Sequence, residues 1–151
     1  AVEDGGNLVA RGNMLAAAAM GATAFQKGLG AIHSLAHPVG AVYGVHHGLA
    51  NALCLPAVLD FNRSTIPKRI ATIARILGVR SEDEESLAFE CAGAVRALRR
   101  KIGLPQGLEA AGLEEEALPR LAALAMEDVC HRLNPRTCTE EDMLALYRAS
   151  M

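Results

Sequence analysis

The sequence predicts an all-α protein, a helical bundle, and three observations carry that expectation. The residues AVILMFWYC fill 51% of 151 positions, yet aromatics are 3% and tryptophan is absent, so the apolar content is mostly Ala, Leu, Ile and Val. Alanine-rich, aromatic-poor chains suit closely packed helices. Apolar residues recur at three- and four-residue spacing through most of the chain, and no strand-like alternation runs beyond about four residues. No internal repeat, low-complexity tract or linker divides the chain, and its length suits one domain with its own core.

In order, Ala1 to Gly6 form a polar lead-in, and Asn7 is placed to cap a helix running to about Gln26. Leu8, Leu15, Ala18, Ala22 and Phe25 recur along it, and the small residues Ala16 to Ala19 are expected to let a neighbouring helix come close. The chain opens almost at a helix start, so a truncated or processed N-terminus is expected. A second helix extends from Gly28-Leu29-Gly30 to about Val42, with Pro38 as an internal kink. Tyr43 to His46 make the turn out, and a third helix runs from about His47 to Leu59, closed by Asp60-Phe61-Asn62.

Ser64 or Thr65 is the expected cap of a fourth helix, with Pro67 early in it, Ile66, Ile70, Ile73 and Leu77 on one face, and Gly78 at its end. Ser81 with Glu84 reads as a capping box for a fifth, whose apolar stripe is Leu87, Cys91, Val95, Leu98 and Ile102. Glu82 to Glu85 at its positive end, and Arg96, Arg99, Arg100 and Lys101 at its negative end, are expected to form a solvated face matched to the helix dipole. Pro105 to Gly112 reads as a loop around a short piece from Leu108 to Ala111. Leu118, Leu121, Ala125 and Val129 mark a sixth helix reaching Leu133, and Asn134-Pro135-Arg136 breaks it. Thr139 with Asp142 caps a last helix from Met143 to Ser150.

Charge and cysteine usage narrow the partners. The formal charge is −2, from 15 basic against 17 acidic residues, with no basic stretch long enough to track a phosphate backbone, so nucleic acid is not an expected partner. No apolar run approaches the ~20 residues of a membrane-spanning helix, and a cytoplasmic protein without membrane contact is expected. Cys54, Cys91, Cys130 and Cys138 form no C-x-x-C pair and are expected to be reduced core thiols.

The chemistry is concentrated between Gly28 and Gly48, where four of the five histidines fall within fifteen positions. On a helix His33 and His37 project from one face one turn apart, and His47 stands at the expected start of the next helix, where the positive helix end keeps an imidazole neutral. Neutral imidazoles are metal ligands. Sites for Zn²⁺ or Fe²⁺ usually draw three or more ligands, and the first carboxylate downstream is Asp60, so the set is incomplete within this stretch. His46 is read as the exposed neighbour of His47, although the two could exchange roles, and His131 as a surface histidine or local partner of Asp128. Gly28-Leu29-Gly30 lacks the third glycine and preceding strand of a dinucleotide loop, and is read as a close-packing pair.

The residues from Phe25 to Pro56, FQKGLGAIHSLAHPVGAVYGVHHGLANALCLP, closely resemble the signature of the iron-containing (group III) alcohol dehydrogenases. The resemblance continues through Asn134-Pro135-Arg136 and Thr139 to Tyr147. It implies the dehydroquinate synthase-like C-terminal helical domain of that family, with His33 and His47 as two ligands of a catalytic Fe²⁺ or Zn²⁺. It further implies that His37 is a non-ligand histidine beside the nicotinamide of NAD(P) and the substrate, suited to relaying the alcohol proton. Family members also carry an N-terminal α/β half that binds the dinucleotide, and an early helix with Asp and His four residues apart. Neither is in these 151 residues, where no Asp-x-x-x-His occurs.

The chain is therefore expected to be a partial C-terminal metal-binding domain, residues 1–151, of an enzyme interconverting a small alcohol and its aldehyde or ketone. By itself it is expected to be inactive, binding metal weakly or not at all. Its expected partners are the missing N-terminal half and a second copy, a homodimer covering the apolar face left by the missing helix. Two other readings compete: a non-enzymatic helical scaffold, and a self-contained two-histidine, one-carboxylate enzyme in which Asp60, Glu90 or Asp128 converges on His33 and His47.

Overall fold

Seven α-helices and no strand make up the computed structural model, which describes residues 1–151: α1 (Leu8–Phe25), α2 (Ala31–Tyr43), α3 (His47–Asn62), α4 (Pro67–Ile76), α5 (Glu84–Lys101), α6 (Leu118–Glu127) and α7 (Glu140–Arg148). Three 3-10 turns, Glu109–Ala111, Glu115–Ala117 and Val129–Leu133, complete the helical structure. Asn7 caps α1 by accepting from the Ala10 amide, and Thr139 and Asp142 form the reciprocal box that opens α7, which begins at Glu140. Gly44, at φ 66°, takes the left-handed conformation that ends α2 and turns the chain into α3.

Other boundaries move for identifiable reasons. The cap of α4 is Ile66, without a side-chain bond, because Pro67 at the first turn lacks one of the amides needing a partner. The cap of α5 is Asp83, whose Oδ2 accepts from the Ser86 amide and hydroxyl, in place of the expected Ser81. The expected sixth helix ends at Glu127, since Asp128 adopts an extended conformation and caps the 3-10 turn that follows. Val129 consequently leaves the apolar stripe and is exposed.

Helices α2, α3, α6 and α7 share the larger core, with Leu35, Val39, Leu53, Val58, Leu121, Met143 and Tyr147 buried in it and Leu108 and Leu113 closing it from the connecting loop. A smaller core joins α4 and α5 to the end of α3 through Leu59, Ile70, Leu87 and Cys91. Leu98 and Ile102, expected on the inner stripe of α5, are exposed. Cys54, Cys91 and Cys138 are buried and Cys130 half-buried, all four as free thiols.

A proline inside α3 determines one long-range contact, and the proline in α2 lies beside another. Pro56 has no N–H for the carbonyl of Ala52. Arg99 supplies the missing donor: its Nη1 donates to Ala52 O and Leu53 O, both at 3.1 Å, and its Nη2 to Gln106 O at 2.9 Å. Arg99 is therefore 5% exposed, which corrects its assignment to a solvated charged face. In α2, Pro38 leaves Ser34 O without its helical donor, and the next carbonyl, Leu35 O, accepts from the buried Tyr147 hydroxyl at 2.7 Å.

Helix α1 departs most from expectation. It buries no residue, and Leu8, Val9, Met14, Leu15, Met20 and Phe25 are all exposed. The small-residue face from Ala16 to Ala19 meets no neighbouring helix, and the apolar residues of α1 are spread around it without a single stripe. No helix is long and apolar enough to cross a membrane.

Candidate metal centre

The start of α2 is pinned from the far end of the chain. Asn134 Oδ1 accepts from the Ala31 amide and from Asn62 Nδ2, and Asn134 Nδ2 returns a bond to Asn62 Oδ1. A side chain at Gly30 would meet Asn134 and one at Gly28 would meet Leu133, in keeping with the close-packing reading of these glycines. One segment thus holds the beginning of α2 and the end of α3 together.

With its backbone so fixed, α2 presents His33 and His37 on one face, and the turn at Gly44 brings His47, the first residue of α3, up to them. The ring centroids of His33 and His47 are 5.3 Å apart, those of His33 and His37 5.8 Å, and those of His37 and His47 5.4 Å, the last pair nearly parallel. Phe25 closes on His33 edge-on at 5.9 Å. Burial lowers the His33 pKa, and His47 and His37 lower it further against the opposing pull of Asp128. His33 is therefore held neutral, as a ligand must be.

Each of the other imidazoles has one nitrogen spoken for. Asn51 Nδ2 donates to His47 Nε2 at 2.9 Å and also to His47 O, so Nε2 carries the lone pair. The Asn51 Oδ1 is buried without a partner. Asn51 escapes sequence reasoning, although its place four residues after His47 is the available signal. His46 Nδ1 accepts from the Gly48 amide and helps cap α3.

Asp128 is the carboxylate that reaches the cluster. Its Oδ2 accepts from His37 Nδ1 at 2.7 Å, and its Oδ1 accepts from the Ser34 hydroxyl at 2.8 Å and the Cys130 amide at 2.7 Å. Burial opposes ionisation of Asp128, but the bonds from His37, Cys130 and Ser34 outweigh it and hold its pKa well below the usual carboxylate range. Burial, followed by the Asp128 carboxylate, pushes the Cys130 thiol up to about 11. The expected local pairing of Asp128 with His131 does not form; the His131 amide donates to Ser34 Oγ and its Nε2 to Met126 O.

The other two carboxylates considered as third ligands stand elsewhere. Asp60, thirteen residues down α3 from His47 and about 20 Å along its axis, pairs with Arg63 and Arg96. Glu90 borders the cleft beside that pair. Asp128 itself is turned to His37 and Ser34, so none of the three carboxylates is bonded to His33 or His47.

These features define an all-helical domain that gathers three imidazoles from two adjoining helices and steers one of them with a carboxylate. Residues 1–151 match the family model described as the Fe-containing alcohol dehydrogenase family, C-terminal. The chain belongs to the iron-containing alcohol dehydrogenase family and corresponds to its C-terminal part. It is 41% identical over 125 residues to lactaldehyde reductase of Escherichia coli strain K12, a match covering 82% of this chain and 33% of that protein. It is 37% identical over 157 residues to the NAD-dependent methanol dehydrogenase of Bacillus methanolicus, covering 100% of this chain and 40% of that one. The fold matches a crystal structure of 1,3-propanediol oxidoreductase with TM-score 0.78 and 33% identity, over 82% of this chain and 33% of the other. The chain thus spans about a third to two-fifths of the length of these relatives.

Proposed function

We propose that these residues are the C-terminal, metal-binding portion of an NAD(P)-linked dehydrogenase that interconverts a primary or secondary alcohol and its aldehyde or ketone. The observation that carries the proposal is the meeting of three histidines, one of them bonded to a carboxylate. The His33 and His47 rings lie against one another, His33 with its pKa lowered by burial, and His37 is tied through Nδ1 to Asp128. The pair fits a divalent cation, Fe²⁺ or Zn²⁺, because His33 is held in its unprotonated form and His47 keeps a lone pair on Nε2 that the Asn51 amide can yield. Two imidazoles are half of a tetrahedral set, and the remaining ligands come from outside these 151 residues.

When bound, the cation supplies Lewis acidity to the substrate oxygen and the nicotinamide gives or takes the hydride. The residues present manage the proton. With Nδ1–H donated to Asp128, Nε2 of His37 is the basic nitrogen, and the carboxylate steadies the imidazolium formed when it accepts the hydroxyl proton. Ser34 and the Cys130 amide hold Asp128 in place for that purpose. The flanking apolar residues of α2 limit water at the buried side of the rings.

The test uses the full-length enzyme carrying these residues. Given one equivalent of Fe²⁺, His33→Ala and His47→Ala should each lose most of the bound iron, measured by elemental analysis, whereas His37→Ala should keep it and lower kcat by about 10²–10⁴-fold. Equal metal loss in all three variants would overturn the division of roles.

A further inference from the structure

We propose that His37, Asp128 and Cys130 form a second divalent-cation site, of zinc-like preference, beside the His33–His47 pair and separate from it. A ring nitrogen of His37, a carboxylate oxygen of Asp128 and Cys130 Sγ lie within 4.8 Å of one another, and His37 Nδ1 is the nitrogen that faces Asp128. They come from two elements, α2 and the 3-10 turn after α6, so the cluster is a product of the tertiary fold and not of local spacing. Nitrogen, oxygen and thiolate sulfur bind Zn²⁺ at ~2.0–2.3 Å, which places tetrahedral ligand atoms roughly 3.3–3.8 Å apart. His37 Nδ1 and Asp128 Oδ2, now 2.7 Å apart, need to part by under about 1 Å.

The surroundings favour such a site over an accidental meeting of side chains. Ser34 is fully buried and joins Asp128 Oδ1 to the His131 amide, while the Cys130 amide holds the same oxygen. These bonds fix the carboxylate plane and leave Oδ2 for the ion, which is how outer hydrogen bonds orient metal ligands. The His37 side chain is 41% exposed and Cys130 is half-buried, whereas the other three cysteines are buried. An ion from solvent therefore reaches Cys130 first. One carboxylate and one thiolate neutralise the charge of a divalent cation, and a mixed nitrogen and sulfur set prefers Zn²⁺ to Mg²⁺ or Ca²⁺.

Binding releases one proton. The Cys130 thiol gives its proton to solvent, and the ring proton of His37 moves from Nδ1 to Nε2, leaving Nδ1 for the ion. On the reading of His37 as a proton relay, an ion here occupies the nitrogen that Asp128 steers and protonates the one that accepts. Excess zinc then inhibits without displacing the catalytic metal.

The experiment is a titration of the 151-residue chain with cobalt(II) chloride, following the near-ultraviolet thiolate-to-cobalt charge-transfer band. The band should appear in the wild type and in the His33→Ala/His47→Ala double variant, vanish in Cys130→Ser, and need at least tenfold more cobalt in Asp128→Asn. Survival of the band in Cys130→Ser, cobalt bound without a band, or no cobalt binding would each overturn the proposal. A second measurement stands if Cys130→Ser fails to give the wild-type circular dichroism: saturating zinc should slow alkylation of Cys130 by iodoacetamide at least tenfold in the wild type, and an unchanged rate would overturn it. Persistence of the band in the double variant keeps this result independent of the roles proposed for His33 and His47.

Discussion

Asp128 shows how much one carboxylate can organise. It caps the 3-10 turn, accepts from Ser34, and orients His37, so removing it undoes three contacts at once. Hydrogen bonds to a charged group contribute about 1.5–3 kcal/mol, and Asp128→Ala should lower unfolding stability at pH 7 by about that amount. The sign of the pH dependence follows from the depressed folded-state pKa. The contribution is fully present above the unfolded value of about 3.9 and is lost as pH falls from there through the folded value. Urea unfolding at pH 7 and at pH 3 should therefore show the gap between wild type and variant narrowing in acid; a gap that widens would contradict the assignment. The histidine spacing made His33, His37 and His47 legible in the sequence, because a helix period and one turn suffice to bring them together. Asp128 lies 91 residues from His37, and no local periodicity encodes a contact of that range. Asn51 and Ser34 were hidden for another reason: their types are common on helices, and their significance comes from what faces them.

At the scale of the element, α3 shows a helix whose own chemistry is unfinished. Pro56 strands the Ala52 carbonyl, and a guanidinium from α5 finishes the turn. Arg99→Met should cost about 2–4 kcal/mol, since it removes several charged hydrogen bonds and leaves buried carbonyls unpaired. Pro56→Ala in that background should return part of the loss by restoring an N–H, a coupling that thermal or denaturant unfolding of the double-mutant cycle would measure. Additive effects would show that Arg99 does not serve the proline. Elements bounded by local chemistry were the most legible: α7 has its capping box where Thr139 and Asp142 predict it, and α1 its Asn7 cap. The boundaries of α5 and α6 were not, because Ser81 competes with Asp83 two residues later and because Asp128 ends a periodic apolar run for the sake of a tertiary contact. Arg99 likewise sits in a run of cations that a helix end would attract on its own, which conceals its different use.

The whole molecule has two cores and one helix that belongs to neither. Burying a Leu, Met or Phe side chain is worth about 1.5–3 kcal/mol, so the six large apolar residues exposed on α1 hold roughly 9–18 kcal/mol in reserve, of the order of the ~4–15 kcal/mol cost of association. The 151-residue chain should accordingly form a homodimer through α1, and a chain of residues 28–151 should be monomeric; light scattering that finds the full chain monomeric would remove this expectation. Lys27 is exposed in the turn that ends α1, immediately before the glycines that begin the pinned part of the fold. Trypsin cuts after lysine, and exposed backbone outside the packed elements is where proteases act first. Brief digestion should open the chain at Lys27 and at Arg80, which is also exposed outside the helices; cleavage at Lys27 alone leaves residues 28–151, which retain all five histidines and both cores without α1.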